Sequence, residues 1–401
     1  MSDPLIVLTV ALCTVGIFTT LITARARSFD VSVFWPLAAF FLPLLIATVN
    51  LKLGVLPVFS DAQFYDQLVW DTSLAWRRGE LLPSTYHNLR TQAYASIVAV
   101  LYTVAGRSPF LAILLNTALW GLAVCYWLRL NREAFDVRSE VFGALLVAYP
   151  AGLIYAASFL REAVMSLLLV LTLLHLSRWF RTKRFSSLFV GTLSFGALAV
   201  FRPETLPIML VAGSLTLGFD LFSEVSRLKK SALLAVTTCC SVALLLVADV
   251  SGYYNPFRVD FLETKRQNLA QYSYSYLANL SYNSWFDVVL YLPVRIFHFL
   301  FQPFPWYPQN YSLTFATLDA LFLLVVVPLA IIGISRYWSE LSSEHILLLA
   351  FATLSIVGYA LVVSTKGAVT RRRLLSMPVL LLFASLVLPR IRVIYLSNNR
   401  G

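Results

Sequence analysis

"WFDVVLYLPVRIFHFLFQPFPW", residues 285–306, decides how the last third of this chain is threaded. The stretch is apolar enough to suggest a membrane span. It nevertheless contains Asp287, Pro293, Arg295 and His298 and runs into a proline-rich stop. If it crosses, the consecutive arginines Arg371, Arg372 and Arg373 join the other basic loops on one side. If it lies in the interface, they fall on the opposite side, against the usual charge bias. The internal charges and the stop favour a re-entrant or interfacial helix with aromatic anchoring.

Working outward, the whole chain reads as an all-α integral membrane protein. Of its 401 residues 59% are hydrophobic and 13% charged, whereas soluble domains carry about 25% charged residues. Apolar residues come in charge-free blocks of the length that crosses a bilayer as helix. The net charge of +11 then points to cytoplasmic loops and lipid headgroups, not to nucleic acid. Cys13, Cys125, Cys239 and Cys240 lie in apolar blocks without a CxxC pair, so neither a disulfide framework nor a zinc site is suggested. His87, His175, His298 and His345 are scattered, and a divalent metal is not indicated. The first block, 4–22, has no basic residue before it and reads as a spanning helix, not a cleaved signal.

About 11 spans are expected, near residues 4–22, 31–49, 109–129, 141–158, 164–180, 186–201, 205–222, 232–250, 317–335, 345–363 and 374–391. They form a single polytopic domain over 1–401, with two long polar connections at 50–108 and 251–316. The short loops at 23–30, 130–140, 181–185, 223–231 and 336–344 carry arginine or lysine and are assigned to the cytoplasm, as are Arg390, Arg392 and Arg400. Both long connections, with the turns "REA" (161–163) and "RPET" (202–205), then face the other side.

In the first long connection, Phe64, Tyr65, Leu68, Val69, Ala75 and Trp76 recur at helical spacing, opposite Asp66, Gln67, Asp71 and Arg78. This predicts an amphipathic helix on the membrane surface, opened by a capping box of Ser60 and Gln63. Asp61 sits at its start. A carboxylate there complements the positive helix end, a structural role worth about 0.3–1 kcal/mol. The same position leaves it able to accept a proton from a hydroxyl. Asp66 and Asp71 read as solvated helix-face charges. Arg161 with Glu162, and Arg202 with Glu204, interrupt apolar helices at tight turns. Local ion pairs or snorkelling explain either pair alone. Together with Arg371, Arg372 and Arg373 they make a basic cluster at headgroup depth, and a guanidinium fork matches phosphate oxygens. Nonspecific headgroup binding is the competing reading of the arginine run. The second connection is rich in tyrosine and tryptophan, which suits an interface and also stacking on sugar rings.

The order of these features resembles the C-type glycosyltransferase superfamily, polytopic enzymes that use polyprenyl-phosphate sugars and include protein mannosyltransferases and aminoarabinose transferases. The resemblance runs from about residue 31 to 391 and rests on Asp61 with Tyr65 four residues on, then "REA", "RPE", "PFPW" (303–306) and the late basic run. It implies that Asp61 is the catalytic acidic residue. It further implies that Arg161, Arg202, Arg371, Arg372 and Arg373 meet the lipid phosphate, near Tyr65. Family members often carry two acidic residues at the catalytic position. Here Ala62 and Gln63 follow Asp61, so Glu162 or Asp66 would supply the second carboxylate. The expected partners are a polyprenyl-phosphate sugar donor, a glycan, lipid or protein acceptor, and membrane lipids. The expected location is the plasma (inner) membrane, with the active site on its non-cytoplasmic face. A polysaccharide polymerase or ligase, or a lipid-linked glycan flippase or transporter, is the alternative. The flippase needs charges lining a path across the bilayer, and such charges are scarce in the spans.

Overall fold

The computed structural model describes residues 4–54, 60–81, 88–135, 140–224, 258–271, 275–306 and 311–388. Among these, the ordered backbone is helical apart from turns and one isolated bridge between Ser275 and Thr365. The helices are α1 (Pro4–Ser28), α2 (Phe34–Leu53), α3 (Ser60–Arg77), α4 (Leu89–Ala105), α5 (Pro109–Phe135), α6 (Glu140–Ala148), α7 (Pro150–Ala156) and α8 (Glu162–Thr182). They continue as α9 (Phe185–Phe201), α10 (Thr205–Glu224), α11 (Val259–Ala270), α12 (Trp285–Phe301), α13 (Tyr311–Tyr337), α14 (Ser343–Val362) and α15 (Lys366–Ser385).

Six helices among the described residues are long and apolar enough to cross a membrane: α1, α2, α5, α8, α13 and α14. They correspond to six of the expected spans, and α9 and α10 are shorter apolar helices at two further expected positions. The expected span 232–250 lies outside the described residues. The span expected at 141–158 is two short helices instead. Pro150 occupies the first position of α7, where its missing N–H costs nothing, and it cannot continue α6. The span expected at 374–391 begins eight residues earlier, at Lys366. The first long connection contains a second helix, α4, which its sequence had not announced. Asn88 caps it, accepting from the Thr91 N–H at 3.1 Å.

At the centre lies α15, packed between α13, α14, α6, α7 and α8, with Met377, Val379, Leu381, Leu382 and Phe383 fully buried. Gly333 permits its close contact with α13, since a β-carbon there would lie 2.1 Å from the Phe383 carbonyl oxygen. The outer helices turn Leu8, Leu12, Phe189, Leu193, Val325 and Ile331 outward, as a bundle solvated by acyl chains requires.

The bundle has two chemically distinct ends. At one, Arg132 donates to the Phe29 carbonyl, Arg178 and Arg181 pair with Glu133, and Lys183 pairs with Asp220. His345 reaches the Ala134 carbonyl at 2.7 Å. These contacts gather three of the five short basic loops, and Glu344, at the end of a fourth, approaches Arg181 at 3.6 Å. At the other end stand the starts of α3, α8 and α15 and the turn between α9 and α10.

Helix α12 lies across this second end. Val288, near its start, packs with Leu361 and Val362; Arg295 donates to the carbonyls of Ala360 (2.8 Å) and Val363 (3.1 Å); and Phe299 stacks on Tyr359. These contacts, spread over the twelve residues 288–299 of α12, fall on the last turn of α14 and on Val363 just after it. A capping box of Ser284 and Asp287 starts α12. Trp285, Phe286, Val289, Leu290, Val294 and Phe297 form its exposed face. At 17 residues, with Asp287 and Arg295 inside it, α12 is not among the six helices long and apolar enough to cross a membrane.

Candidate functional site

The site is assembled from five separate chain segments. The first turn of α3 brings Asp61, with Tyr65 one turn later; the side chain of Ser60 lies outside what the structure describes. Arg161 and Glu162 open α8. Their turn is fixed from α5 by Asn116, whose amide donates to the carbonyls of Ser158 (2.8 Å) and Leu160 (2.6 Å). Arg202 and Glu204 form the turn between α9 and α10, closed by Thr205 donating to the Arg202 carbonyl at 2.7 Å. Arg371 and Arg372 project from the first turns of α15, and Tyr359 comes from the last turn of α14.

Arg371 is the hub. Its Nη1 donates to Oδ2 of Asp61 and its Nε to Oε1 of Glu162. Arg202 Nη2 approaches the same Glu162 oxygen at 3.4 Å. Glu162 is 1% exposed and sits at the positive end of α8, so burial, the helix end and two guanidiniums all hold it in place. Asp61 is different. Its side chain is 54% exposed and rests on Arg371. Arg372 lies over the Tyr359 ring at 5.6 Å, beside Arg202 and Glu204. Arg161 Nη1 reaches the Arg90 carbonyl at 3.4 Å.

The cluster is unevenly balanced. Four guanidiniums, Arg161, Arg202, Arg371 and Arg372, face three carboxylates, Asp61, Glu162 and Glu204. Among the described residues, Arg161 and Arg372 have no carboxylate at ion-pair distance. The buried Nε of each lacks a hydrogen-bond partner, and so does Glu162 Oε2. Burial lowers the pKa of Arg161, and Arg202 and Arg371 push it the same way. Burial alone would raise the Glu204 carboxyl, but Arg202 and Arg372 more than offset it, so it lies below the ordinary range. Burial raises the Tyr65 hydroxyl against the pull of Arg161 and Arg371, so it stays protonated and able to donate. Buried, unmatched guanidinium N–H groups beside a half-exposed carboxylate put donors suited to an anion next to a group able to accept a proton.

Two of the residues singled out in the sequence stand elsewhere. Arg373 points away from the cluster into the bundle, where Nη1 donates to Asp319 at 2.8 Å and Nε to the Phe299 carbonyl at 2.6 Å. It ties α15 to α13 and α12. Asp66 accepts from Arg107 at 2.7 Å and from the Tyr102 hydroxyl at 2.6 Å, which binds α3 to α4 and leaves Glu162 as the second carboxylate beside Asp61. Sequence reasoning missed Tyr359, because a tyrosine inside an apolar run carries no signal of what it faces. It also missed Tyr155, which shares a 2.9 Å hydrogen bond with Thr370 and braces the turn bearing Arg371. Among the described residues, no group of three or more His, Cys, Asp or Glu side chains is placed to hold a metal ion. No family model matches the chain, and no curated protein matches it.

Proposed function

We propose that this protein is a membrane glycosyltransferase that moves a sugar from a polyprenyl-phosphate donor to an acceptor hydroxyl. The observation that carries the reading is the meeting of Asp61 and Glu162 with Arg161, Arg202, Arg371 and Arg372 at one end of the bundle, with guanidinium N–H groups left over. That end is opposite the one holding most of the short basic loops, so charge bias assigns it to the non-cytoplasmic face, of the plasma (inner) membrane in this reading. The lipid-facing helices around it suit a donor whose tail stays in the bilayer.

The phosphate sits on Arg161, Arg371 and Arg372. These neutralise the charge that develops as the bond between the anomeric carbon and the phosphate oxygen breaks. The acceptor hydroxyl, from a glycan, lipid or protein, attacks the anomeric carbon from the opposite side and passes its proton to Asp61. One new glycosidic bond forms, polyprenyl phosphate leaves, and a single displacement inverts the anomeric configuration. Glu162 holds Arg371 in place and Tyr65 offers a hydroxyl donor beside it.

The test is transfer by the purified full chain in detergent or nanodiscs, with short-chain prenyl-phosphate sugars as donors and prenyl phosphate release as the readout. Asp61→Asn is expected to reduce turnover by about 10²–10⁴, the usual worth of general-base help, while the protein still purifies as a folded species. Turnover of Asp61→Asn within a few-fold of the unaltered chain would remove Asp61 from this role. Turnover only with prenyl-diphosphate-linked oligosaccharides would favour the polymerase or ligase reading.

A further inference from the structure

We propose that the contact between Asp61 and Arg371 is a latch: Asp61 occupies the donor's phosphate position on Arg371 in the empty enzyme and is released as a base only when the phosphate arrives. This deepens the glycosyltransferase reading and rests on it.

Three observations converge. The Arg371 guanidinium is held by two carboxylates at once, Asp61 through Nη1 and Glu162 through Nε. The two differ in how firmly they are fixed. Glu162 is buried, is approached by Arg202 as well, and belongs to α8, a helix packed against α5, α9 and α14. Asp61 is 54% exposed and belongs to α3, which packs chiefly on α4 and only sparsely on the bundle. Finally, unpartnered buried N–H groups on Arg161 and Arg372 flank Arg371, so an anion seated on either lies beside Arg371 as well. A phosphate offers several charged oxygens to several guanidiniums, where Asp61 offers one oxygen to one. The phosphate therefore displaces Asp61, whose half-exposed carboxylate turns aside at the start of α3 while Tyr65, Leu68 and Val69 stay in the core.

The consequence is an order of events. With one oxygen of Asp61 engaged by Arg371, its carboxylate is a weaker acceptor for the proton of a hydroxyl. Donor binding frees it, so the acceptor becomes reactive only once the sugar is in place. Glu162 stays behind and keeps Arg371 oriented.

The experiment measures binding of geranyl phosphate, a sugar-free prenyl monophosphate, to the purified full chain and to Asp61→Asn. In parallel it follows maleimide modification of a single cysteine at position 63, in a background without the four native cysteines. The latch predicts that Asp61→Asn binds about three- to fivefold tighter, the factor set by removing one half-exposed ion pair. It also predicts that geranyl phosphate changes the modification rate at position 63 in the otherwise unaltered chain. If that chain binds geranyl phosphate with an unchanged rate at position 63, and Asp61→Asn binds no tighter, the latch is wrong and the phosphate site stands. If neither protein binds geranyl phosphate, the phosphate site itself falls and the latch with it.

Discussion

Arg371 and Arg373 stand two residues apart on α15 and serve opposite sides of it. Arg371 holds Asp61 and Glu162 at the end of the bundle, while Arg373 is buried against Asp319 at 2.8 Å, neither side chain more than 1% exposed. At 3.6 residues per turn, two positions are separated by about 200° around the helix. The arginine run therefore cannot be one patch. It is a pair at the carboxylate cluster, Arg371 and Arg372, followed by an internal tie.

Breaking that tie should cost folding, not chemistry alone. Replacing Arg373 with methionine leaves Asp319 buried without its counter-ion, a loss of about 3–5 kcal/mol. Thermal unfolding in detergent should show a large drop for Arg373→Met. The double change Arg373→Met with Asp319→Leu should recover much of it. An unchanged melting temperature for Arg373→Met alone would show that the pair carries no such weight.

Arg371→Lys should behave in the opposite way. Lysine keeps the charge but cannot fork between Asp61, Glu162 and a phosphate. Turnover is expected to fall about 10²- to 10³-fold, the range for losing one donor to a developing negative charge, with thermal stability close to that of the unaltered chain. Comparing transfer rate and melting temperature on the same preparation separates the two arginines.

The contact of Arg371 with Asp61 also fixes a relation in topology. Residues 63 and 367 are both exposed beside that contact. Single cysteines at these positions should react with a membrane-impermeant reagent from the same side of the membrane, which the charge bias makes the non-cytoplasmic one. Reaction from opposite sides would contradict the packing of α3 against the start of α15.

Acid should loosen the second connection. Glu263 on α11 accepts from Arg266, from Gln267 and from the Tyr282 N–H, and its pKa is pulled down to about 2, chiefly by Arg266. An unfolded glutamate titrates near about 4.3. The carboxylate therefore stabilises the fold fully above that value, and its contribution is lost as pH falls toward about 2. Hydrogen exchange at 258–282 should rise over that window. In Glu263→Gln it should be high already at neutral pH and nearly independent of pH across the same range.

Much of this fold is written in the apolar runs. Blocks such as 109–129, whose one charge is Arg129 at its very end, and 345–363 are long, apolar and flanked by polar turns, so their helices follow from the need to satisfy every backbone group within the bilayer. Helix α4 was not legible, because Leu89–Ala105 mixes Arg90, Thr91 and Gln92 with short apolar stretches and owes its burial to α3. The break at Pro150 was visible as a residue but not as a division of the span, since prolines also lie inside α12, α13 and α15. For the site, the sequence supplied the charged turns, and the resemblance supplied their grouping. What neither supplied was the separation of Arg373 and Asp66 from the rest, which depends on helix rotation and on which neighbour lies within reach.

The helix at the heart of this bundle is also the last of the described helices to be made. During synthesis α1 to α14 are made before α15 exists, with Asp319 lacking Arg373, Glu162 lacking Arg371 and left with Arg202, and the space for Met377, Leu381 and Phe383 unfilled. Insertion of residues 366–385 then completes the core and the cluster of arginines and carboxylates in a single event. Maturation of the core and closure of the charged cluster therefore share one moment in the life of the chain.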